Sequence, residues 1–132
     1  MVAAPTTSLP EDIGGERNWD YRFTWLRDAS FTLYAFFQLG LTAEATSFFD
    51  WLSHRHLAAY DPDDIPNLFD LSGHSHAAEH TLDQLAGYRY SGPVRTANPV
   101  PHPLQPAVYG AVLESAHITV RVSGVITARI CD

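Results

Sequence analysis

Lysine is missing from this sequence of 132 residues, and cysteine occurs once. The basic residues are 8 arginines against 15 acidic residues, which gives a formal net charge of −7. A chain with so little positive charge offers no basic patch for a phosphate backbone, so we expect no nucleic-acid partner. The single cysteine, Cys131, excludes an internal disulfide and favours a cytoplasmic protein.

Long apolar runs are also missing. None approaches the ~20 residues that a membrane-spanning helix needs, so we expect no membrane association. The N-terminal sequence MVAAPTTSLPEDIGG has neither a basic start nor a continuous apolar stretch, which does not fit a secretory signal. Apolar residues make up 45% of the chain, as is typical of a globular domain.

The sequence pattern predicts mainly helices. Residues 27–39 contain no Gly or Pro and are apolar on nearly every side, which predicts an inner helix that ends at Gly40. A second helix is predicted from about 43 to 54, with Thr42 as its N-cap. A short link between two helices predicts an αα-hairpin. The predicted buried face of the second helix consists of Ala45, Phe48, Phe49 and Leu52.

The remaining segments are more varied. Residues 60–75 are predicted to form a loop, and residues 76–86 a short helix. Residues 87–106 are rich in proline and predict a long irregular loop, a feature that is often functional. Residues 108–116 suit another helix, and the tail from 118 to 132 alternates like a strand.

One short stretch, NWDYRFTWLRDAS at residues 18–30, mixes aromatic rings with charges. A sugar has an apolar ring face and a rim of hydroxyl groups, so its site needs an aromatic platform and bidentate polar groups. Trp25, Arg27 and Asp28 supply this mixture, with Trp19 and Tyr21 close by in sequence. The alternative is that the tryptophans belong to a core and that Arg27 and Asp28 form a solvated helix start.

A longer stretch, TTSLPEDIGGERNWDYRFTWLRDASFTLYAFFQLG, resembles the start of the catalytic domain of glycoside hydrolase family 15, the glucoamylase and bacterial trehalase family. LAGYRYSGPVRTAN at 85–98 and LQPAVYGAVLESA at 104–116 resemble later parts of that domain, in the same order. The resemblance covers about residues 5–116.

The resemblance implies an all-α fold, namely a partial (α/α)6 barrel, or incomplete six-hairpin toroid, with long irregular loops. It implies inverting exo-hydrolysis of α-linked glucose in an α-glucan or trehalose, with no cofactor and no metal. It divides the chain into an extended segment at 1–17, a barrel fragment at 18–116 and a divergent tail at 117–132. The substrate-binding residues that it implies are Trp25, Arg27, Asp28, Tyr88, Arg89 and Arg95.

Two departures from the family pattern affect the expected activity. The family helix D-Q-L-Q-L-D-V-Y-G has the sequence HPLQPAVYG here, at residues 102–110, where Pro103 and Pro106 are expected to interrupt a helix. The two glutamates of the family's inverting chemistry lie downstream of the matched stretches, and no glutamate here falls in their motifs. We therefore predict no catalytic residue in this chain and expect the chain alone to be inactive. The alternative is a non-catalytic sugar-binding fragment or remnant.

Large apolar residues on the first two helices suggest self-association. In a complete barrel these residues would pack against other helices, so we expect several of them to remain in water and the chain to self-associate or pack loosely. They are Phe31, Phe36, Phe37, Phe48, Phe49 and Trp51.

A rival hypothesis comes from HAAEH at residues 76–80. On a helix, His-x-x-Glu-His places His76 and His80 on one face with Glu79 between them, which is the inverted zinc-hydrolase pattern. Glu114 would then be the third ligand. The alternative is a run of solvated histidines, since a five-residue pattern also occurs by chance.

Overall fold

The computed structural model describes residues 1–56, 60–61, 65–75, 78–99 and 106–123, and helix is their main regular structure. The helices are α1 at Leu26–Gln38, α2 at Thr42–Asp50, which continues into a π-helical turn at Trp51–His56, and α3 at Pro106–Ser123. The strands are β1 at Thr24–Trp25, β2 at Leu68–Phe69, β3 at His80–Thr81 and β4 at Arg95–Thr96. The mainly helical prediction is confirmed, and the short strands are an addition to it.

The described residues form two compact units. The strand unit combines Met1–Trp25 with the described residues of Leu68–His102 and contains all the strands above. The helix unit combines the described residues of Leu26–Asn67 with α3. None of the described helices has the length and apolar character that crossing a bilayer requires.

In the helix unit, α1 and α2 contact each other and α3 packs against both, so the predicted helix pair is confirmed. The predicted buried face of α2 is also confirmed, because all its members are less than a tenth exposed: Ala45, Phe48, Phe49 and Leu52. Helix α1 buries one face only, through Leu26, Ala29, Ser30 and Leu33. Its apolar residues Phe31 and Tyr34 are exposed, so α1 is not enclosed on all sides.

The link between α1 and α2 shows why one predicted cap was right and the other wrong. Gly40 has φ +78°, and its N–H donates to Phe37 O at 3.1 Å while Leu41 N–H donates to Phe36 O at 2.8 Å. This pair of bonds is the Schellman motif that glycine favours at a helix end. Thr42 is not the N-cap: Leu41 O accepts from Ala45 N–H, so Leu41 holds the cap position and Thr42 is the first helical residue.

Helix α3 corrects the predicted strand in the tail. Residues 118–123 are helical, whereas residues 124–132 lie outside the described residues. The alternating β-branched residues suggested a strand, but Thr119 is buried in the helix unit and its hydroxyl donates to Ser115 O at 2.8 Å. Packing of one helix face therefore decided the structure over local propensity. Pro106 does not interrupt the helix because it is its first residue, where its missing N–H costs nothing; Pro103 lies outside the described residues.

In the strand unit, the N-terminal segment folds back on the stretch that leads into β1. Ala3 N–H donates to Phe23 O at 2.9 Å, and Ser8 N–H donates to Trp19 O at 3.0 Å. Strands β1 and β2 pair antiparallel, as do β3 and β4. A small apolar cluster of Phe23, Leu68 and Ala97 lies beside β1.

The helix prediction for the middle of the chain needs correction, and the two predicted loops contain short regular elements. Residues 78–86 are not helical; His80–Thr81 forms β3 and pairs with β4, while residues 76 and 77 lie outside the described residues. The predicted loop at 60–75 contains β2, and the predicted irregular stretch at 87–106 contains a 3₁₀ turn at Tyr88–Tyr90 and then β4. Each of these strands depends on a partner distant in sequence, which a local pattern does not show.

Candidate functional site

Arg27 and Asp28 occupy the first turn of α1, as the sequence predicted. Their side chains are 62% and 55% exposed, and Arg27 Nη2 lies 3.5 Å from Asp28 Oδ2. At that distance and exposure the pair contributes little to stability. A carboxylate in the first turn is also favoured by the helix dipole, which explains why Asp28 is tolerated there with so few bonds. Both groups are therefore available to bind a ligand.

Trp25 is the last residue of β1 and precedes α1 directly. It is half-buried and packs against the cluster of Phe23, Leu68 and Ala97. The ring of Tyr21 lies 5.8 Å from the Trp25 ring, centroid to centroid, in a tilted arrangement. These contacts fix the indole in place, as an aromatic platform requires.

Arg95 lies on β4 and is almost buried. Its Nη1 forms an ion pair with Glu79 Oε2 at 2.9 Å, its Nη2 donates to Glu16 O at 3.2 Å, and its guanidinium lies 5.2 Å from the centroid of the Trp19 ring. The backbone of Arg95 is held as well, because Ser8 Oγ donates to its O and accepts from its N–H. Both terminal guanidinium nitrogens and the backbone N–H of Arg95 are thus engaged within the protein, whereas its buried Nε has no hydrogen-bond partner among the described residues.

Tyr88 and Arg89 lie on the exposed 3₁₀ turn, with the Arg89 guanidinium 5.5 Å from the centroid of the Tyr88 ring. Arg89 and Tyr90 have left-handed backbones, with φ +49° and +61°. Gly87 has φ +73°, and a Cβ there would lie 2.1 Å from Ser91 O, so the turn requires glycine at that position. Strained backbone of this kind is found mainly where a binding or catalytic site needs it.

The predicted site residues are distributed over both units. The strand unit holds four of them, namely Trp25, Tyr88, Arg89 and Arg95, and the helix unit holds Arg27 and Asp28. The environments also differ, because Arg95 is almost buried, Trp25 is half-buried and the others are exposed.

The sequence analysis missed Asp20 and Asn98, which link the two stretches that contain the predicted contacts. Both residues are buried. Burial alone would raise the pKa of Asp20, but the hydrogen bonds and charge of Arg22 together with the N–H of Ala97 lower it. The same ion pair raises the pKa of Arg22. The only feature of the sequence that could have indicated this ion pair is the spacing of Asp20 and Arg22, two positions apart between aromatic residues.

The structure does not support the zinc pattern. His76 lies outside the described residues, His80 is in β3 rather than on a helix, and the carboxylate of Glu79 binds Arg95. The i, i+4 spacing on one helix face is therefore not formed. Within the described ranges, no group of three or more His, Cys, Asp or Glu residues is placed to hold a metal ion.

Comparison with known proteins identifies the family. The sequence model of "Glycosyl hydrolases family 15" matches residues 1–129. A trehalase of Thermoplasma volcanium is 38% identical over 138 aligned residues, which cover 100% of this chain and 20% of the relative. For a trehalase of Mycolicibacterium smegmatis the identity is 38% over 119 residues, covering 89% of this chain and 18% of the relative.

This chain thus spans about a fifth of the length of these curated relatives. No solved structure matches it significantly. The family resemblance seen in residues 5–116 is confirmed, and the matched range also includes most of the segment after residue 116. With its mainly helical structure and a match over nearly its whole length, the chain belongs to glycoside hydrolase family 15, a family of hydrolases that act on carbohydrates.

Proposed function

We propose that this chain carries part of the binding site for the terminal glucose of an α-linked glucoside, and that the glucoside is trehalose. Family membership supports a carbohydrate substrate, and the similar trehalases support trehalose among the α-glucosides. The observation that carries the proposal is the pair Arg27 and Asp28, two exposed and weakly paired charges at the start of a helix.

These two side chains suit adjacent hydroxyl groups of a sugar. The guanidinium of Arg27 donates in a fork, and the carboxylate of Asp28 accepts at two oxygens, so each binds two hydroxyls at once. The rigid first turn of α1 fixes both backbones. Trp25 supplies the apolar surface against which the sugar ring packs.

The other predicted contacts have different roles in this proposal. Tyr88 and Arg89 are exposed, and we keep them as proposed substrate contacts on the strength of the family resemblance. Arg95 acts mainly by ordering the site, because its guanidinium binds Glu79 and the carbonyl of Glu16 and stacks on Trp19.

The proposal separates binding from hydrolysis. Inverting hydrolysis needs a neutral carboxyl group as acid and a carboxylate as base, ~6.5–9.5 Å apart. No glutamate here falls in the family motifs for these groups, and Glu79 is already paired with Arg95. We therefore assign this chain a share of substrate binding and none of the catalytic carboxyl groups; the reaction of the whole protein is inverting exo-hydrolysis of α-linked glucose.

Two further parts of the proposal concern the fold of the chain and its location in the cell. We infer that α1 and α2 form one helix pair of an (α/α)6 barrel, within a barrel fragment at 18–116 that follows the segment 1–17 and precedes the tail 117–132. The contact between α1 and α2 and the family match support the helix pair, and the boundaries at 17 and 116 remain predictions from the sequence. A cytoplasmic location remains a prediction from composition.

The experiment titrates the chain with trehalose and with glucose and measures binding by saturation-transfer NMR. Arg27→Ala and Asp28→Ala each remove charge-assisted hydrogen bonds, worth ~1.5–3 kcal/mol or roughly 10- to 150-fold in affinity. The matched controls are Arg121→Ala, an exposed arginine of α3, and Glu44→Ala, an exposed acid in the first turn of α2. Both controls should bind like the wild type. Unchanged affinity in both Arg27→Ala and Asp28→Ala refutes the assignment.

A further inference from the structure

The strand unit contains a carboxylate that is completely enclosed, that of Asp20. Its Oδ1 accepts from the Nε of Arg22 at 2.8 Å and from the N–H of Arg22 at 3.2 Å. Its Oδ2 accepts from the Nη2 of Arg22 at 2.7 Å and from the N–H of Ala97 at 2.9 Å. A buried carboxylate with this many bonds cannot also bind a ligand, so its role lies in what it holds.

Asn98 strengthens the same connection from the other side. The N–H of Asp20 donates to Asn98 Oδ1 at 2.9 Å, and Asn98 Nδ2 donates to Asp20 O at 2.8 Å. These bonds join residues 78 positions apart in sequence. The side chain of each residue therefore binds the backbone of the other's segment, which fixes the register between the two.

This link orders residues that pack against Trp25, the predicted aromatic platform of the sugar site. Ala97 has φ +59°, a left-handed backbone that L residues adopt only at a cost, and Asp20 holds its N–H in that orientation. Ala97 belongs to the cluster with Phe23 and Leu68 against which Trp25 packs. Arg95, which precedes Ala97 by two residues, lies over the ring of Trp19, the neighbour of Asp20.

We propose that Asp20, together with Asn98, is a positioning residue of the sugar site, holding Trp25 and Arg95 in one fixed arrangement. This inference rests on the proposed function, because it takes Trp25 as a sugar contact. The competing explanation is that the link only stabilises the strand unit. The two explanations differ in whether the link can be weakened without loss of binding.

The test uses the whole chain, labelled with ¹⁵N, and the variant Asp20→Asn. The substitution keeps the shape but replaces one acceptor oxygen by an NH₂ donor that faces other donors. We expect trehalose affinity to fall by about 10-fold or more, because binding has to restore the arrangement that the variant loses. The matched control is Asp83→Asn, an exposed carboxylate of the same unit, which should bind like the wild type.

Indole N–H resonances show where the substitution disturbs the chain, and trehalose affinity then separates a positioning role from a purely stabilising one. In Asp20→Asn the resonances of Trp19 and Trp25 should move, while that of Trp51, which stacks on Phe48 in the helix unit, stays in place. A variant that shows these shifts yet binds trehalose like the wild type overturns the positioning role alone. A wild-type chain that binds no sugar overturns the proposed function instead.

A second variant covers the case in which Asp20→Asn does not fold. Asn98→Ala removes the two bonds to the backbone of Asp20 but leaves the carboxylate paired with Arg22 and Ala97. It leaves no buried charge unpaired, so the fold should persist. We expect weaker trehalose binding with shifted Trp19 and Trp25 resonances. If Asp20→Asn fails to fold and Asn98→Ala binds trehalose with wild-type affinity, the link is only structural.

Discussion

The exposed face of α1 predicts that the isolated chain self-associates. Phe31 is 65% exposed, Tyr34 50% and Leu39, just after the helix, 74%. Helical periodicity places Phe31 opposite the buried face that contains Ala29 and Leu33, and Tyr34 at the side of that face. The helix is therefore apolar on both sides, although the described helices cover only one of them.

The exposed fractions set the magnitude of the effect. Fully burying a Phe or Leu side chain contributes ~1.5–3 kcal/mol. Covering the exposed parts of Phe31 and Leu39 thus contributes about 1–2 kcal/mol each, and half of Tyr34 adds about 1 kcal/mol. Two copies that pack these faces together gain roughly 6–10 kcal/mol, against an association cost of ~4–15 kcal/mol. At the low end of this cost the balance is about −2 to −6 kcal/mol, which predicts weak association, with a Kd of roughly tens of micromolar to tens of millimolar.

The perturbation is the double variant Phe31→Gln with Leu39→Gln, because glutamine suits the exposed helix position of Phe31 and removes the apolar contact at both positions. Sedimentation velocity over a range of concentrations should show a concentration-dependent mass for the wild type and a monomer for the double variant. Leu71→Gln is the control: Leu71 is 67% exposed but lies in the strand unit, so association should persist. A wild type that is a monodisperse monomer with a sharp cooperative thermal transition refutes the reasoning.

Three further predictions concern the backbone, the pH dependence and the chemistry. In a denaturant titration, Gly40→Ala should lower the free energy of unfolding by ~1–2 kcal/mol, and Gly87→Ala should lower it clearly more. Of these two positions, only Gly87 would place the new Cβ against a backbone oxygen, at 2.1 Å. Equal losses in the two variants would contradict this close approach. The folded-state pKa of Asp20 lies below its ordinary value of 3.8. The extra stability of the wild type over Asp20→Asn should therefore be complete above about pH 4 and decline as the pH falls through the folded-state pKa. Denaturation at several pH values measures this difference. The purified chain should release no glucose from maltose, starch or trehalose in a coupled glucose assay, and sustained release would disprove the predicted lack of a catalytic carboxyl pair.

The sequence predicted those features that depend on local spacing. The i, i+3, i+4 pattern of Ala45, Phe48 and Phe49 identified the buried face of α2, and the position of Gly40 identified the end of α1. Each of these follows from geometry within one or two helical turns. The position of Arg27 in the first turn of α1 was predictable for the same reason.

Features that depend on distant partners could not be predicted in this way. His80 and Thr81 form a strand only because Thr96 and Arg95 pair with them, and no local pattern records that pairing. The buried state of Arg95 is of the same kind, because it depends on an ion pair with Glu79 and on bonds from Ser8, 87 positions away. A sequence that alternates in hydrophobicity, such as the end of α3, takes whichever structure its neighbours can pack against.

Asp20 and Asp28 show how much the surroundings of two carboxylates in one motif differ. They lie in the same short stretch, and each has an arginine close by in sequence. The carboxylate of Asp20 accepts bonds from both the side chain and the backbone of Arg22 and from Ala97, and it is fully buried. Among the described residues, the carboxylate of Asp28 has only its 3.5 Å contact with Arg27.

A carboxylate gains free energy from a ligand hydroxyl only if its oxygens are not already engaged by the protein. Asp28 meets this condition, because its carboxylate is 55% exposed and contacts only Arg27 among the described residues. Asp20 does not meet it, because a ligand would have to replace protein donors that are already in place. The number of protein donors around each carboxylate, rather than its position in the motif, is therefore the reason why we propose Asp28 as a substrate contact and Asp20 as a positioning residue.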